Sequence, residues 1–210
     1  MSDLPELPPG AFRKEDGAAD DQFYLDARLT THIDDTAINA LTQVYREVLP
    51  AGGVVLDLMS SWVSHLPDDV AYGEVIGHGM NGQELAANRR LSRWFLKDFN
   101  LDQTLPLEDA SLDAATICVG VQYLQQPVAL LRDLARALKP GAPVVISFSN
   151  RCFPTKAVAV WLSLDGNGHT RLVDLYLRRA GFEHVELRRV LDGWRSDPLT
   201  VLIGRTAESA

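Results

Sequence analysis

Short apolar runs that alternate with helical-period segments constrain this chain more than any other feature. Val54-Val55-Leu56-Asp57-Leu58, released by Gly52-Gly53, suits a strand buried on both faces of a parallel sheet, where no polar side has to alternate. Before it, Ile38, Leu41, Tyr45, Val48 and Leu49 recur at helical spacing, with Asp34 or Asp35 as N-cap and Pro50 as the stop. The pattern then repeats. Residues 70–76 read as a strand, and 81–91 as a helix with Asn81 and Glu84 at capping-box-like spacing. Strands are expected at 93–97 and 112–119, and a helix opens at Pro127, with Leu131, Leu134 and Leu138 on one face, and ends at Pro140-Gly141. A strand at 143–149 and a helix at 170–180 closed by Gly181 follow. Two last strands, 182–190 and 199–205, flank a turn-rich segment and can pair as an antiparallel hairpin.

Such βα alternation predicts a doubly wound, Rossmann-like α/β fold with seven strands and an antiparallel C-terminal hairpin. The 210 residues suffice for one domain. Residues 1–22, with three prolines and little apolar periodicity, read as a mobile tail, and 23–210 as a single domain whose first part forms a helical lid. The formal charge of −8 opposes phosphate backbones, which argues against nucleic acid and for a small-molecule partner. No apolar run approaches the roughly 18 to 20 residues that span a bilayer, so a membrane is not expected. Cys118 and Cys152 form no disulfide framework and the histidines no metal spacing. A cytoplasmic protein without a metal is the expectation.

In a doubly wound sheet, ligands bind beyond the carboxyl ends of the strands. There the residues Val55-Leu56-Asp57-Leu58, Asp98, 105–113, Leu138-Lys139-Pro140-Gly141 and Ala180-Gly181-Phe182, followed by the hairpin, stand in an order that resembles class I S-adenosylmethionine-dependent methyltransferases, in particular the type 11 methyltransferase domain. The resemblance spans about residues 34 to 205 and implies S-adenosylmethionine as cofactor and methyl transfer (EC 2.1.1) as the activity.

It also implies site residues. After the first strand the family has a glycine-rich turn, and this chain has Met59-Ser60-Ser61-Trp62, so side chains replace free backbone. Next to Asp57, Ser60 and Ser61 can offer hydroxyls and N–H groups to a carboxylate near a helix start, and Trp62 can shield a sulfonium. A pair of capping serines and a core tryptophan is the plainer reading. After the second strand, Gly79, Met80 and Asn81 fall at the ribose position, with Glu84 as a substitute for the missing carboxylate, and Asn81 equally suits an N-cap. Asp98 and Phe99 match the adenine position, an acceptor followed by an apolar face, and Val119 and Gln122 follow the fourth strand.

For the acceptor, Tyr24, His32 and Tyr123 are the catalytic candidates. Arg28 and His65 are more ordinary as packing residues, His65 being expected one helical turn beyond Ser61. Arg151 and Lys156 could attract an anion but equally suit solvated loop charges. Cys152 has cations nearby in sequence but no histidine partner. Two other readings remain open. Residues 77–82 spell G-x-G-x-x-G between strand and helix, as in an NAD(P)-binding oxidoreductase. A noncatalytic methyltransferase-like domain would account for the glycine-free loop.

Overall fold

Strands β1 (Val54–Leu58), β2 (Glu74–Gly79), β3 (Arg93–Leu96), β4 (Ala114–Cys118), β5 (Pro143–Phe148), β6 (His184–Leu191) and β7 (Leu199–Arg205) pair side by side in the order β3-β2-β1-β4-β5-β7-β6. The computed structural model describes residues 3–208. Within them the sheet has seven strands, parallel except for β7, which runs against both β5 and β6. The expected architecture and its terminal hairpin are therefore present.

Helices cover both faces, as parallel strands require. They are α1 (Asp20–Phe23), α2 (Asp35–Val48), α3 (Gly82–Ala87), α4 (Pro127–Ala137), α5 (Ala159–Leu162) and α6 (Gly166–Ala180). Side chains of a strand alternate between faces. Accordingly Val55 and Val145 join the layer under α2 with Leu41, Val44 and Tyr45. Their neighbours Leu56, Leu58, Val144 and Ile146 join the layer under α4 and α6 with Leu131, Leu134, Val173 and Leu177. Helix α2 starts at Asp34, whose carboxylate accepts from the Ala37 N–H, and α6 ends on Gly181 at φ +100°, a conformation that costs only glycine little.

Several boundaries differ from expectation. Strand β2 starts at Glu74 and runs through Gly77-His78-Gly79, because these residues pair with Trp94, Phe95 and Leu96 of β3. Two of the three fingerprint glycines therefore lie in a strand, serving close packing: a Cβ on Gly77 would fall 2.3 Å from Leu91 Cδ1, and one on Gly79 2.8 Å from the Ser60 carbonyl. They do not form a phosphate-cradling loop, which removes the sequence basis for the dinucleotide reading. Helix α3 stops at Ala87 rather than 91. Helix α6 begins at Gly166 rather than 170, since Asp165 caps it by accepting from Gly168 N–H.

Residues 59–73 between β1 and β2 contain no helix, so the helix start expected beside Ser60 and Ser61 does not exist, and His65 sits in irregular chain at φ +51°. The segment expected as a tail is packed against the domain. Leu4 and Ala11 are buried, Ala159 and Val160 donate to the carbonyls of Arg13 and Ala11, and Asp16 N–H donates to Thr155 O.

Candidate cofactor site

From β1 the chain proceeds outward through β2 and β3, and from β4 it proceeds the other way, so the strand order reverses between β1 and β4. A crevice opens at the carboxyl ends of the strands there, as this topology requires. It is a cavity of about 540 Å³, within the usual range for a ligand pocket. Its walls are the loop after β1, the ends of β2, β3 and β4, the loop after β5, and residues from the N-terminal segment.

The loop after β1 solves the absence of glycine in its own way. Met59 takes φ +58°, the left-handed region where a side chain is disfavoured by about 1 to 2 kcal/mol. The glycine it lacks stands opposite instead: a Cβ on Gly120 would lie 3.0 Å from Met59 Cβ and 3.1 Å from Met59 Sδ. The loop is tied down from below. Met59 N–H donates to His78 Nδ1 (3.1 Å), Ser60 N–H donates to the His78 carbonyl (2.6 Å), and the Ser60 hydroxyl donates to Asp57 (2.5 Å). Asp57 also accepts from Thr116, and burial pushes its carboxyl above the usual range against these hydrogen bonds. Ser61 is different. Its hydroxyl oxygen accepts from Trp62 N–H, and among the described residues nothing accepts its own N–H or hydroxyl proton.

Of the residues singled out in the sequence, Met59, Ser60, Ser61, Gly79, Met80, Asn81, Asp98, Phe99 and Val119 line the cavity, as do Tyr24, His32 and Tyr123. Asp57, Trp62 and Gln122 do not. Asp57 lies beneath the loop as its anchor. Trp62 turns outward, its indole N–H donating to Thr30 O (3.0 Å), so it does not face a sulfonium position. Gln122 is buried and donates to Val119 O (2.7 Å), bracing a β-branched residue at φ +43°, a strained conformation.

Asn81 has no group to spare. Its carbonyl caps α3 by accepting from Gln83 and Glu84 N–H, and its amide donates to the carbonyls of Tyr24 and Leu25. Glu84 lines the cavity beside it. One of its oxygens accepts from Arg28 N–H (2.7 Å), so the expected capping box is not closed, and among the described residues no donor reaches the other oxygen. Asp98 is in the same state: Oδ1 accepts from Asn100 N–H (2.8 Å) and Oδ2 has no donor among the described residues. A nucleoside presents donors, an exocyclic amine and a ribose diol, and two half-used carboxylates in a partly buried wall are what such donors need. The residues present fit S-adenosylmethionine: the two carboxylates can accept from its nucleoside end, and Ser61 has an unused N–H and hydroxyl proton for its carboxylate.

The remaining wall is a strap running from Asp20 to Asp34. Lys156, fully buried, holds its beginning by ion pairs to Asp16 (3.0 Å) and Asp20 (3.2 Å) and a bond to Ala18 O, so it is not free to attract a substrate. Its end is clasped where Asp34 and Asp197 each accept the other's N–H, and Arg151 Nε pairs with Asp197 (2.8 Å). Arg28 spreads over the Phe23 ring and donates to Phe23 O, a packing role. Between these anchors stand Tyr24, His32, Tyr123 and Phe153. Burial raises Tyr24 well above the ordinary tyrosine value and pushes Tyr123, whose hydroxyl accepts from Phe153 N–H, up to about 12. Burial lowers His32 and raises the Cys152 thiol.

Residues 62–146 match the family model described as "Methyltransferase domain", the segment that includes β2 to β4, α4 and part of β5. Over this stretch the chain resembles S-adenosylmethionine-dependent methyltransferases. A malonyl-[acyl-carrier protein] O-methyltransferase from a Marinomonas species is 31% identical over 67 residues, 32% of this chain and 25% of that protein. The chain thus matches only a quarter of that relative's length. Among solved structures, a methyltransferase from Haloferax volcanii in complex with the Trm112 methyltransferase activator is similar at 16% identity and a TM-score of 0.63, with 83% of this chain and 92% of that one covered. A Thermotoga maritima methyltransferase gives 19%, 0.60, 82% and 89%. At these identities the likeness shows the fold.

The crevice also depends on contacts that the sequence did not single out. His78 and Gly120 shape the loop after β1. Asn100 binds Asp20, Tyr123 O and Gln125 N–H, and the Asp34–Asp197 clasp closes the far end. None has a spacing signature, because each acts across elements far apart in sequence. Among the described residues no helix is long and apolar enough to cross a membrane.

Proposed function

We propose that this chain binds S-adenosylmethionine in the crevice and transfers its methyl group to a small-molecule acceptor. The observation that carries the reading is the pair of half-used carboxylates, Glu84 and Asp98, at the ends of adjacent chain segments along one cavity wall. When bound, the cofactor supplies a methyl group on a sulfonium sulfur, open to direct displacement. Asp98 accepts from the adenine amine and Phe99 lies against the ring. Glu84 accepts from the ribose hydroxyls, a duty that passes to it because the Asn81 amide is committed elsewhere. Ser61 donates to the carboxylate of the amino-acid end. Asp57, Trp62 and Gln122 act from outside, holding the loop, the strap and Val119.

At the acceptor end, both tyrosines keep their protons at neutral pH, so neither is a base. His32 is neutral there and has a lone pair to receive a proton from an acceptor hydroxyl. The strap limits the acceptor to a small molecule, held in line mainly by the walls, and orientation alone supplies much of the rate in such a displacement. Free thiols at Cys118 and Cys152, both on the cavity wall, suit a reducing, cytoplasmic setting.

Calorimetric titration with S-adenosylmethionine, S-adenosylhomocysteine and NADPH tests this. Binding of the two sulfur nucleosides and not of NADPH is expected. Binding of NADPH alone would restore the oxidoreductase reading, and binding of none would favour a noncatalytic domain.

A further inference from the structure

His78 is among the most enclosed polar side chains of the cavity wall, 3% exposed, and so far it has served only to tie down the loop after β1. Its hydrogen bonds admit one chemical form. Met59 N is a donor only, so Nδ1, 3.1 Å away, must present a lone pair. Lys97 O is an acceptor only, so Nε2, 2.8 Å away, must carry the proton. The ring packs at 4.3 Å from Phe99 and 5.2 Å from Phe95, centroid to centroid, and its own carbonyl takes the N–H of Ser60 (2.6 Å). One residue of β2 therefore fastens both the loop leaving β1 and the chain leaving β3.

We propose that His78 is a positioning residue for the cofactor, a neutral Nε2–H imidazole that sets the spacing between the loop 59–61 and Asp98-Phe99. This rests on the reading of the crevice as the cofactor site. The two tethers reach opposite ends of that ligand: Met59 adjoins Ser60 and Ser61 at the amino-acid end, and Lys97 immediately precedes Asp98 at the nucleoside end. The Met59 tether also answers the missing glycine. A residue at φ +58° stays there only when its surroundings over-determine it, and the Nδ1 lone pair fixes the N–H of that residue. An apolar side chain could fill the same space, but it would leave that N–H and the Lys97 carbonyl without partners. The burial that lowers the imidazole to about 4 keeps it neutral at physiological pH, consistent with the bonds it makes.

Two conservative variants separate the tethers. His78→Gln can reach Lys97 O with its amide N–H but gives up the acceptor for Met59. His78→Asn keeps that acceptor and gives up Lys97. The full chain is titrated with S-adenosylhomocysteine, which has both ends, and with 5′-deoxy-5′-methylthioadenosine, which lacks the amino-acid end. His78→Gln is expected to weaken S-adenosylhomocysteine roughly tenfold, about the effect of one lost hydrogen bond, and to leave methylthioadenosine little changed. His78→Asn is expected to weaken both. Equal loss of the two ligands in His78→Gln, with the unaltered protein binding normally, overturns the inference alone. Failure of the unaltered protein to bind S-adenosylhomocysteine removes the cofactor reading, and this inference with it. Should either variant not fold, ¹⁵N spectroscopy of the unaltered protein decides: a protonated Nε2 and a bare Nδ1 are expected at pH 7, and the opposite tautomer or an imidazolium overturns the proposal.

Discussion

Asp98 and Asp109 are both loop aspartates between β3 and β4, and their surroundings separate them. Asp98 faces the cavity with one oxygen free, whereas Asp109 is an exposed partner of Arg136. Asp98→Ala is expected to weaken S-adenosylhomocysteine by about 1 to 3 kcal/mol, the cost of leaving a buried donor unpaired, and Asp109→Ala to leave it unchanged; calorimetry giving the same affinity for both would remove the adenine assignment. Histidines set the pH response. Burial lowers His78 and His65 from 6.5 to about 4, so as the pH falls through 6.5 the unfolded chain takes up their protons first. Their contribution to stability is complete above pH 6.5, is lost between 6.5 and 4, and is flat below. The loss is about 2 kcal/mol for each residue between pH 7 and 5, partly offset by Asp57, whose raised pKa gives the opposite slope. Urea denaturation at the two pH values checks this, and equal stability at both would contradict it. At this scale the sequence was informative where position along the chain settles placement, as with Asp98, which follows β3 and lines the cavity. It was silent on Asn81, whose type suits both a cap and a ribose, because only the fold shows the Tyr24 and Leu25 carbonyls taking its amide.

Elements were legible wherever periodicity or a cap is strong. Helices α2 and α4, bounded by Asp34 and Pro127, begin where the residues say, and β7 spans the expected 199–205. Misreadings came from glycine. Gly77 and Gly79 looked like loop, yet sit in β2 because Leu91 and the Ser60 carbonyl press on them. Helix α6 opens at Gly166, four residues before the expected start. Proline and acidic residues similarly disguised the N-terminal segment, whose contacts with 155–160 are made by backbone and by one buried lysine. The loops after β1 and β4 form one packing unit through Met59 and Gly120. Gly120→Ala is expected to cost about 1 to 3 kcal/mol by overpacking, because its new Cβ meets Met59 Cβ and Sδ at 3.0 and 3.1 Å. Met59→Gly in the same chain should restore most of that loss. Thermal denaturation of the two single variants and the double variant measures the coupling, and strictly additive effects would show that the two loops do not share this contact.

Across the whole molecule, the alternation of apolar runs and helices dictates the layered sheet, and the sheet's reversal between β1 and β4 dictates where a ligand can sit. A lid over the first part of the domain is an expectation of the sequence, but not how the strap is fastened, since its closure depends on Trp62, Asn81 and Glu84, Lys156, and Asp197, which come from four separate stretches of chain. On the proposed function, the crevice holds the nucleoside end of S-adenosylmethionine between Glu84 and Asp98. A structure determined with S-adenosylhomocysteine bound decides this. A ligand in the crevice is expected, its adenine amine within hydrogen-bond distance of Asp98, its ribose hydroxyls on Glu84 and its carboxylate beside Ser61. A ligand bound elsewhere, or an empty crevice at saturating concentration, would contradict it.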